Sequence, residues 1–225
     1  FIRQHQERSY VMALEGDEVP DKMSGMYYGI DKGGLSFRCE EGRLLFGGGS
    51  HRTGKRDKNC DYEGLSYIKK QAQRLYPDAT VYAMWAAQDC MPHDRVPFIG
   101  RYSVFRPYWY VATGFKKWGM TSSMVAAMII SDIISGVVNP YGKVFSPQRV
   151  MVRMGIKNLI IDVGESIAGL VKGLLGHKSK RCSHMGCHLE WNEEEHTWDC
   201  PCHGSRFGKD GDLIDNPAKR NLKNI

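Results

Sequence analysis

The chain has 225 residues, of which 42% are hydrophobic and 25% are charged, and it contains five tryptophans. This composition is typical of a globular chain with a packed core, and it excludes an intrinsically disordered or fibrous protein. The formal net charge of +6 is modest and no nucleic-acid-binding motif accompanies it, so we expect no nucleic-acid partner.

The sequence opens at Phe1, without an initiator methionine, and runs directly into the strand-like segment 8–14. We therefore expect the chain to be the later part of a longer protein. Cys39, Cys60 and Cys90 are scattered and do not form the framework of a secreted disulfide-rich domain, so we expect a cytoplasmic location.

Residues 1 to about 110 predict mainly strands with one helix. The segments Leu35–Cys39 and Arg43–Phe46 flank a short turn that contains glycine, and they predict an antiparallel hairpin. Tyr62 to Tyr76 predicts a helix that ends where a proline follows, and Val81 to Ala86 predicts a strand.

Residues 49–56, with the sequence Gly-Ser-His-Arg-Thr-Gly-Lys-Arg, almost match a nucleotide-binding P-loop. The position after Lys55 needs a Ser or Thr hydroxyl for magnesium but holds Arg56, and the residues that follow are too polar to begin the required helix. We therefore predict a loop that leaves a strand, without a nucleotide site.

A strand, a glycine-bearing turn and a long apolar helix follow one another in residues 108–135. The start of a helix offers free N–H groups and a partial positive charge, which would stabilise the negative charge of a reduced flavin ring. A strand–turn–helix in a core is the alternative. The candidate cofactor-binding residues are Gly114, Phe115, Trp118, Gly119, Met120 and Thr121.

Three motifs in residues 1 to about 150 carry a resemblance: Trp85-Ala-Ala-Gln-Asp89, Asp94-Arg-Val-Pro-Phe-Ile-Gly100 and Ala112-Thr-Gly-Phe115. They resemble the C-terminal half of the D-amino-acid oxidase and glycine oxidase superfamily of FAD-dependent oxidoreductases. The resemblance implies an antiparallel substrate sheet with helices, and FAD in the full-length protein. The fingerprint Gly-x-Gly-x-x-Gly that grips the FAD phosphates is absent, so we expect this chain to bind FAD poorly by itself.

The same resemblance implies a small-molecule substrate, amine-like or hydroxyl-bearing. Members of the superfamily often clamp a substrate carboxylate with an arginine in a region where this chain has Gln88 and Asp89. Four residues are candidates for the substrate chamber, although each fits a hairpin or surface position equally well: Tyr27, Tyr28, Arg38 and His93.

Residues 158–175 predict an amphipathic helix, because apolar residues recur at helical spacing. Asp162, Glu165 and Lys172 interrupt the apolar run, so we expect no membrane span. An interfacial helix and a domain-docking helix both fit, and we favour docking. The apolar row consists of Leu159, Val163, Ile167, Leu170, Val171 and Leu174.

Two short segments near the end of the chain supply two thiolates and two imidazoles, from Cys182, His184, Cys200 and His203. This set fits a dinuclear iron–sulfur cluster, because two thiolates neutralise a core of two ferric ions and two sulfides, and make its reduction easier than four would. A zinc-stapled interaction domain is the alternative. However, one residue separates Cys182 from His184, whereas paired zinc ligands are usually separated by at least two.

The patterns Cys-x-His-x-Gly-Cys and Cys-Pro-Cys-His-Gly-Ser resemble the signature of the Rieske iron–sulfur proteins. The resemblance implies a [2Fe-2S] cluster with Cys182 and Cys200 on one iron and His184 and His203 on the other. It also implies a disulfide between Cys187 and Cys202, and a hydrogen bond from Ser205 to a cluster sulfide. High-potential members have a tyrosine where this chain has Phe207, so we expect a lower potential.

These observations together predict an α+β chain. Residues 1–150 would form the substrate and flavin-ring half of an FAD-dependent oxidoreductase, 151–181 a helix and linker, and 182–225 a small, mostly β Rieske unit with a truncated base. Electrons would pass from substrate to flavin and leave singly through the cluster to a protein or small-molecule acceptor. A non-catalytic electron-transfer module is the alternative function.

The histidine ligands of such a cluster exchange protons with solvent, so electron uptake is linked to proton uptake. We expect the reduction potential to fall as pH rises above the histidine pKa values. Voltammetry across acid and alkaline pH measures this dependence, and a potential that stays constant with pH would contradict the prediction.

Overall fold

The computed structural model describes residues 3–55, 57, 59–149, 153–175 and 180–223. The fold is α+β, as the sequence predicts. Its first part is built on a five-stranded antiparallel sheet with the order β2-β3-β4-β1-β5. The strands are β1 (Gln4–Glu15), β2 (Tyr27–Tyr28), β3 (Ser36–Glu40), β4 (Arg43–Arg52) and β5 (Thr80–Pro92).

One face of the central strand β1 forms the main core. Alternate residues Tyr10, Met12 and Leu14 are buried on that face, as a half-buried strand requires. Helix α1 (Gly64–Leu75) packs there through Ile68 and Ala72. The predicted hairpin, helix and strand are confirmed, and β5 extends further than the sequence pattern indicates.

The segment that resembles a P-loop has a packing role. Strand β4 continues through Arg52, so half of the expected loop is strand. Gly49 has a φ of 65°, and a Cβ there would lie 2.3 Å from the carbonyl oxygen of Gly64, at the start of α1. Gly54 has a φ of 69°, and a Cβ there would lie 2.6 Å from the nitrogen of Pro201. Both glycines therefore permit close approach of another backbone rather than of a phosphate.

A second layer follows β5. Strands β6 (Phe98–Ser103) and β7 (Arg106–Thr113) form a hairpin that packs against helix α2 (Gly119–Ser135) through a small apolar core, and α3 (Gly142–Phe145) is a single turn. Asp94, the first residue of one recognised motif, is buried and forms a bidentate ion pair with Arg149. This pair fixes the segment that leads from β5 into β6.

The last part is a long helix and a small sheet. Helix α4 spans Arg153–Leu175, and the sheet has the order β11-β10-β9-β8. Its strands are β8 (Glu190–Asn192), β9 (Thr197–Asp199), β10 (Arg206–Gly208) and β11 (Leu213–Asp215). Among the described residues, no helix combines the length and apolar character needed to cross a membrane.

Helix α4 docks with only part of its apolar row, since Leu170 packs against the cysteine-bearing core while most of the row is exposed. Val163, Ile167, Val171 and Leu174 are exposed, whereas Gly169 and Gly173 are buried against the cysteine-bearing loops. A Cβ on Gly169 would lie 2.7 Å from Cys202 Sγ, and one on Gly173 would lie 2.3 Å from the carbonyl oxygen of Gly186. The docking prediction holds for the helix, and its closest contacts with the loops are made at two glycines, beside Leu170.

We expect Gly173→Ala to destabilise the protein by about 1–3 kcal/mol, because its methyl group overpacks the contact with Gly186. Gly164 lies on the same helix, and no atom of the described residues comes within 4 Å of the position that a Cβ would take there, so Gly164→Ala is the matched control. That control should stabilise the helix by up to about 1 kcal/mol. Urea denaturation measures both, and equal stabilisation by both substitutions would show that α4 does not pack on the loops.

Candidate metal centre

The two ligand-bearing loops share one backbone plan. In the first, the N–H of Cys182 donates to the carbonyl of Cys187 at 2.8 Å, and the N–H of Gly186 donates to the carbonyl of Cys182 at 2.8 Å. In the second, Cys200 donates to Ser205 at 2.8 Å and Gly204 donates to Cys200 at 2.9 Å. Gly186 and Gly204, at φ values of 84° and 80°, provide the left-handed residue that each turn requires.

The four predicted ligands meet in one cradle between these loops. Cys182 and Cys200 are almost fully buried, and the rings of His184 and His203 are edge-to-face with centroids 5.1 Å apart. The Sγ atoms of Cys187, Cys200 and Cys202 lie within 4.8 Å of one another. The structure thus brings the two predicted thiol ligands together and the two predicted imidazole ligands together, on the same two loops.

The protonation of these groups suits a metal centre. Burial lowers the pKa of His203 to about 4, with a further contribution from the neighbouring His184, and burial also lowers the pKa of His184. Both imidazoles are therefore neutral at pH 7, which is the form that binds a metal. The hydrogen bond with Cys200 and burial raise the pKa of Cys182, whereas the pKa of Cys200 is lowered, chiefly by Cys182. A cationic core would displace the protons of both thiols, because thiolates are the form that binds a metal.

Ser205 lies where the sequence predicts it to act. Its side chain is fully buried, and its oxygen accepts the N–H of Ala218 at 2.9 Å. Its hydrogen bond to Cys182 contributes to lowering the pKa of that thiol. All seven cysteines lie in the described part of the chain and are free thiols, so the pairing of Cys187 with Cys202 stays a prediction.

Residues of the five-stranded sheet contact the second ligand loop, residues 200–205, directly. The sequence did not identify these residues as cluster contacts. Gln88 on β5 accepts the hydroxyl of Thr53 at 2.9 Å and donates to the carbonyl of Gly204 at 2.9 Å. Arg52 donates to the carbonyl of Pro201 at 3.2 Å. Gln88, which occupies the region of the expected substrate clamp, therefore serves the cluster loop instead.

Arg52 also pairs with Asp162 on α4. Burial raises the pKa of Asp162, but hydrogen bonding to His5 and the charge of Arg52 outweigh burial, so the pKa is lowered. The carboxylate is consequently ionised at neutral pH. This pair connects β4, α4 and the second ligand loop in one place.

Two glutamates of the small sheet complete the contact between the two parts. The carboxylate of Glu195 accepts hydrogen bonds from Arg8 and Tyr10 on β1 and from Arg206 on β10. Glu194 accepts the N–H groups of Leu65 and Ser66 at 2.7 and 2.8 Å. The first N–H groups of a helix find no acceptor within the helix itself, so Glu194 caps α1 from outside.

The predicted flavin-binding residues lie at and before the start of α2. Gly114 is buried with a φ of 77°, and a Cβ there would lie 2.4 Å from Pro92 Cγ, so this glycine also has a packing role. Trp118 and Met120 are exposed, by 64% and 87%, and so are Gly119 and Thr121, while Phe115 is half-buried. The residue that precedes α2, Trp118, makes no side-chain capping hydrogen bond, which leaves the positive end of the helix open.

The four candidate chamber residues do not come together. Tyr27, Tyr28 and Arg38 are exposed on β2 and β3, at one edge of the five-stranded sheet. His93 follows β5, at the opposite edge, and is buried. The sequence could not reveal this separation, because strand order is set by pairing that is remote in the chain.

Comparison with known proteins places these features in two families. Residues 2–133 match the family model described as FAD dependent oxidoreductase, and residues 153–225 match the Rieske [2Fe-2S] domain. A Bacillus subtilis protein provisionally named a Rieske 2Fe-2S iron–sulfur protein is 35% identical over 99% of this chain and 51% of its own length. The chain thus spans about half of that relative.

Other similar proteins are iron–sulfur subunits of the cytochrome b6-f complex. The cytochrome b6-f complex iron–sulfur subunit of Fritillaria agrestis is 24% identical, over 73% of this chain and 78% of its own length. A Synechococcus cytochrome b6-f iron–sulfur subunit is 45% identical over 42 residues, which are 19% of this chain and 24% of its own length.

Solved structures share the fold of the first part. Iminodiacetate oxidase from Chelativorans superposes with a TM-score of 0.51 at 14% identity, over 64% of this chain and 40% of its own. Glycine oxidase from Geobacillus kaustophilus gives a TM-score of 0.51 at 18% identity, over 67% of this chain and 40% of its own. At these identities the likeness concerns the fold alone.

Phe207 provides a test of the expected potential. It is fully buried and packs in the same apolar cluster as Cys182 and Cys200. We expect Phe207→Tyr to raise the reduction potential by about 60 mV if the new hydroxyl contributes about 1.4 kcal/mol to the reduced state. Voltammetry measures the shift. Trp198→Tyr, which also packs against this cluster, is the control, and an unchanged or lowered potential in Phe207→Tyr would contradict the prediction.

Proposed function

Because the chain belongs to the FAD-dependent oxidoreductase family and ends in a Rieske [2Fe-2S] domain, we propose how its two parts work together. A flavin oxidises a small amine-like or hydroxyl-bearing substrate, and the cluster carries the electrons away. The observation that carries this proposal is the direct seating of the second ligand loop on the flavin-side sheet, through Gln88 and Arg52. A cluster held this way is positioned to serve the same protein.

When bound, FAD accepts a hydride from the substrate, and the [2Fe-2S] cluster transfers single electrons. The residues of this chain hold and orient these groups. Cys182, Cys200, His184 and His203 would bind the cluster, and the buried Ser205 hydroxyl would orient toward its sulfur ligands. The open start of α2 would face the flavin ring, with its partial positive charge directed at the site of developing negative charge.

We place the electron acceptor, a protein or a small molecule, on the side of the cluster where His184 lies. A cavity of about 800 Å³ adjoins this histidine, and Pro217, Lys219 and Arg220 line it. The two cationic side chains favour an acceptor that carries negative charge, since complementary charges speed encounter.

The proposal is tested in the full-length protein that contains this chain, purified without oxygen. We expect two iron and two sulfide ions per chain, and an electron paramagnetic resonance signal of a histidine-ligated cluster after reduction. Small amines and hydroxy acids are then added in turn. The substrate should bleach the flavin first and produce the cluster signal next.

Gln88→Ala isolates the step between the two groups, because it removes the donor to Gly204 and leaves all four cluster ligands in place. We expect flavin reduction by substrate to keep its rate while cluster reduction slows several-fold in stopped-flow measurements. Gln73→Ala, on the exposed side of α1, is the matched control. If the purified protein contains zinc in place of iron, it is a zinc-stapled interaction domain instead. If it contains a reducible cluster but no flavin, it is a non-catalytic electron-transfer module.

A further inference from the structure

A second group of metal-ligating side chains lies outside the cluster cradle. His5 is on β1, His93 follows β5 directly, and Asp162 is on α4. One ligand atom of each residue, a ring nitrogen or a carboxylate oxygen, lies within 4.8 Å of the other two. The His93–Asp162 distance is 3.1 Å and the His5–Asp162 distance is 3.5 Å.

These separations are those of ligands around a small metal ion. Metal–nitrogen and metal–oxygen bonds of about 2.0–2.2 Å in a tetrahedral site separate neighbouring ligand atoms by roughly 3.4 Å. Asp162 Oδ2 is buried, and it faces a ring nitrogen of each histidine at the distances given above. A buried carboxylate oxygen is stable only with a partner that compensates its charge, and a bound cation would be such a partner.

The surrounding contacts orient two of the three ligands. Nε2 of His5 lies 3.4 Å from the carboxylate of Glu7, so its other nitrogen, Nδ1, points to Asp162. Metal-binding histidines commonly use their second nitrogen in this way. Arg52 pairs with Oδ1 of Asp162, which fixes the carboxylate and leaves Oδ2 for the ion.

An ion pair of Asp162 with a protonated His5 is the alternative, since burial lowers the pKa of His5 but hydrogen bonds to Asp162 and Glu7 outweigh burial and raise it. The two imidazole rings are stacked with centroids 5.9 Å apart, and both face the same oxygen of Asp162. Two imidazolium ions so close, with Arg52 beside them, would repel one another. Two neutral imidazoles can share a single bound cation. A cavity of about 430 Å³, lined by His5, Glu7 and Asp162, provides a path for entry and room for water.

We propose that His5, His93 and Asp162 form a mononuclear site for a divalent first-row transition metal ion. Two imidazoles and one carboxylate suit Zn²⁺ or Fe²⁺, and water from the cavity completes the coordination. The ion would tie the beginning of β1 and the end of β5 to α4, and so would fasten the helix that supports the cluster loops to the sheet.

The test uses the cluster-loaded protein, so that the cysteine-rich cradle is already filled. Equilibrium dialysis against Zn²⁺, followed by elemental analysis, should find one zinc ion per chain in addition to the two iron ions. Zinc should also raise the melting temperature, because it binds the folded state. Zinc that enters only as iron leaves would overturn the proposal.

Variants locate the ion. His5→Gln should weaken zinc binding by at least 100-fold, and Glu7→Gln by about 10- to 100-fold through loss of the orienting contact. His196→Asn removes an exposed histidine on the small sheet and should leave zinc binding unchanged. His93→Gln should also remove the site; if this buried substitution prevents folding, the half-buried His5 decides the matter. Equal zinc binding in wild type, His5→Gln and Glu7→Gln would overturn the proposal.

Discussion

One partly buried carboxylate, that of Glu195, joins the small sheet to the five-stranded sheet. It accepts hydrogen bonds from Arg8 and Tyr10 on one side and from Arg206 on the other. Buried ion pairs add little net stability, but removal of one partner costs about 3–5 kcal/mol because a charge remains uncompensated. Such a pair therefore fixes the relative position of the two sheets more than it raises the free energy of unfolding. The hydrogen bonds from Gln88 and Arg52 to the second ligand loop add to the contact that Glu195 makes.

Backbone, rather than large side chains, shapes the cradle itself. The two loops repeat the same pair of hydrogen bonds, and α4 approaches both of them at Gly169 and Gly173. The N–H of His188 donates to the carbonyl of Gly169 at 3.0 Å, which links helix and loop through main-chain atoms. A small unit with four short strands has little apolar core, and this close backbone packing compensates for it.

The spacing of residues in the sequence was sufficient to predict those parts of the site whose residues are close together in the chain. The ligand residues stand within two six-residue loops, and the family resemblance of both parts is carried by short motifs. The supporting contacts are remote: Arg8 and Glu195 are separated by 187 residues, and Gln88 and Gly204 by 116. Their residue types are ordinary surface types, so no pattern marks them. The apolar row of α4 predicted the helix correctly, but periodicity cannot tell that most of this row is exposed and that two glycines make the closest contacts.

The burial of Arg8 makes it unfavourable to separate the two domains of this chain. With only 3% of its surface exposed, Arg8 is stable in the sheet because a glutamate from the far end of the polypeptide neutralises it. If gene fission separated the FAD-dependent part from the Rieske domain, Arg8 would lose Glu195, the carboxylate that neutralises its charge. The two modules are therefore expected to be inherited together, and to change at this boundary by paired substitutions.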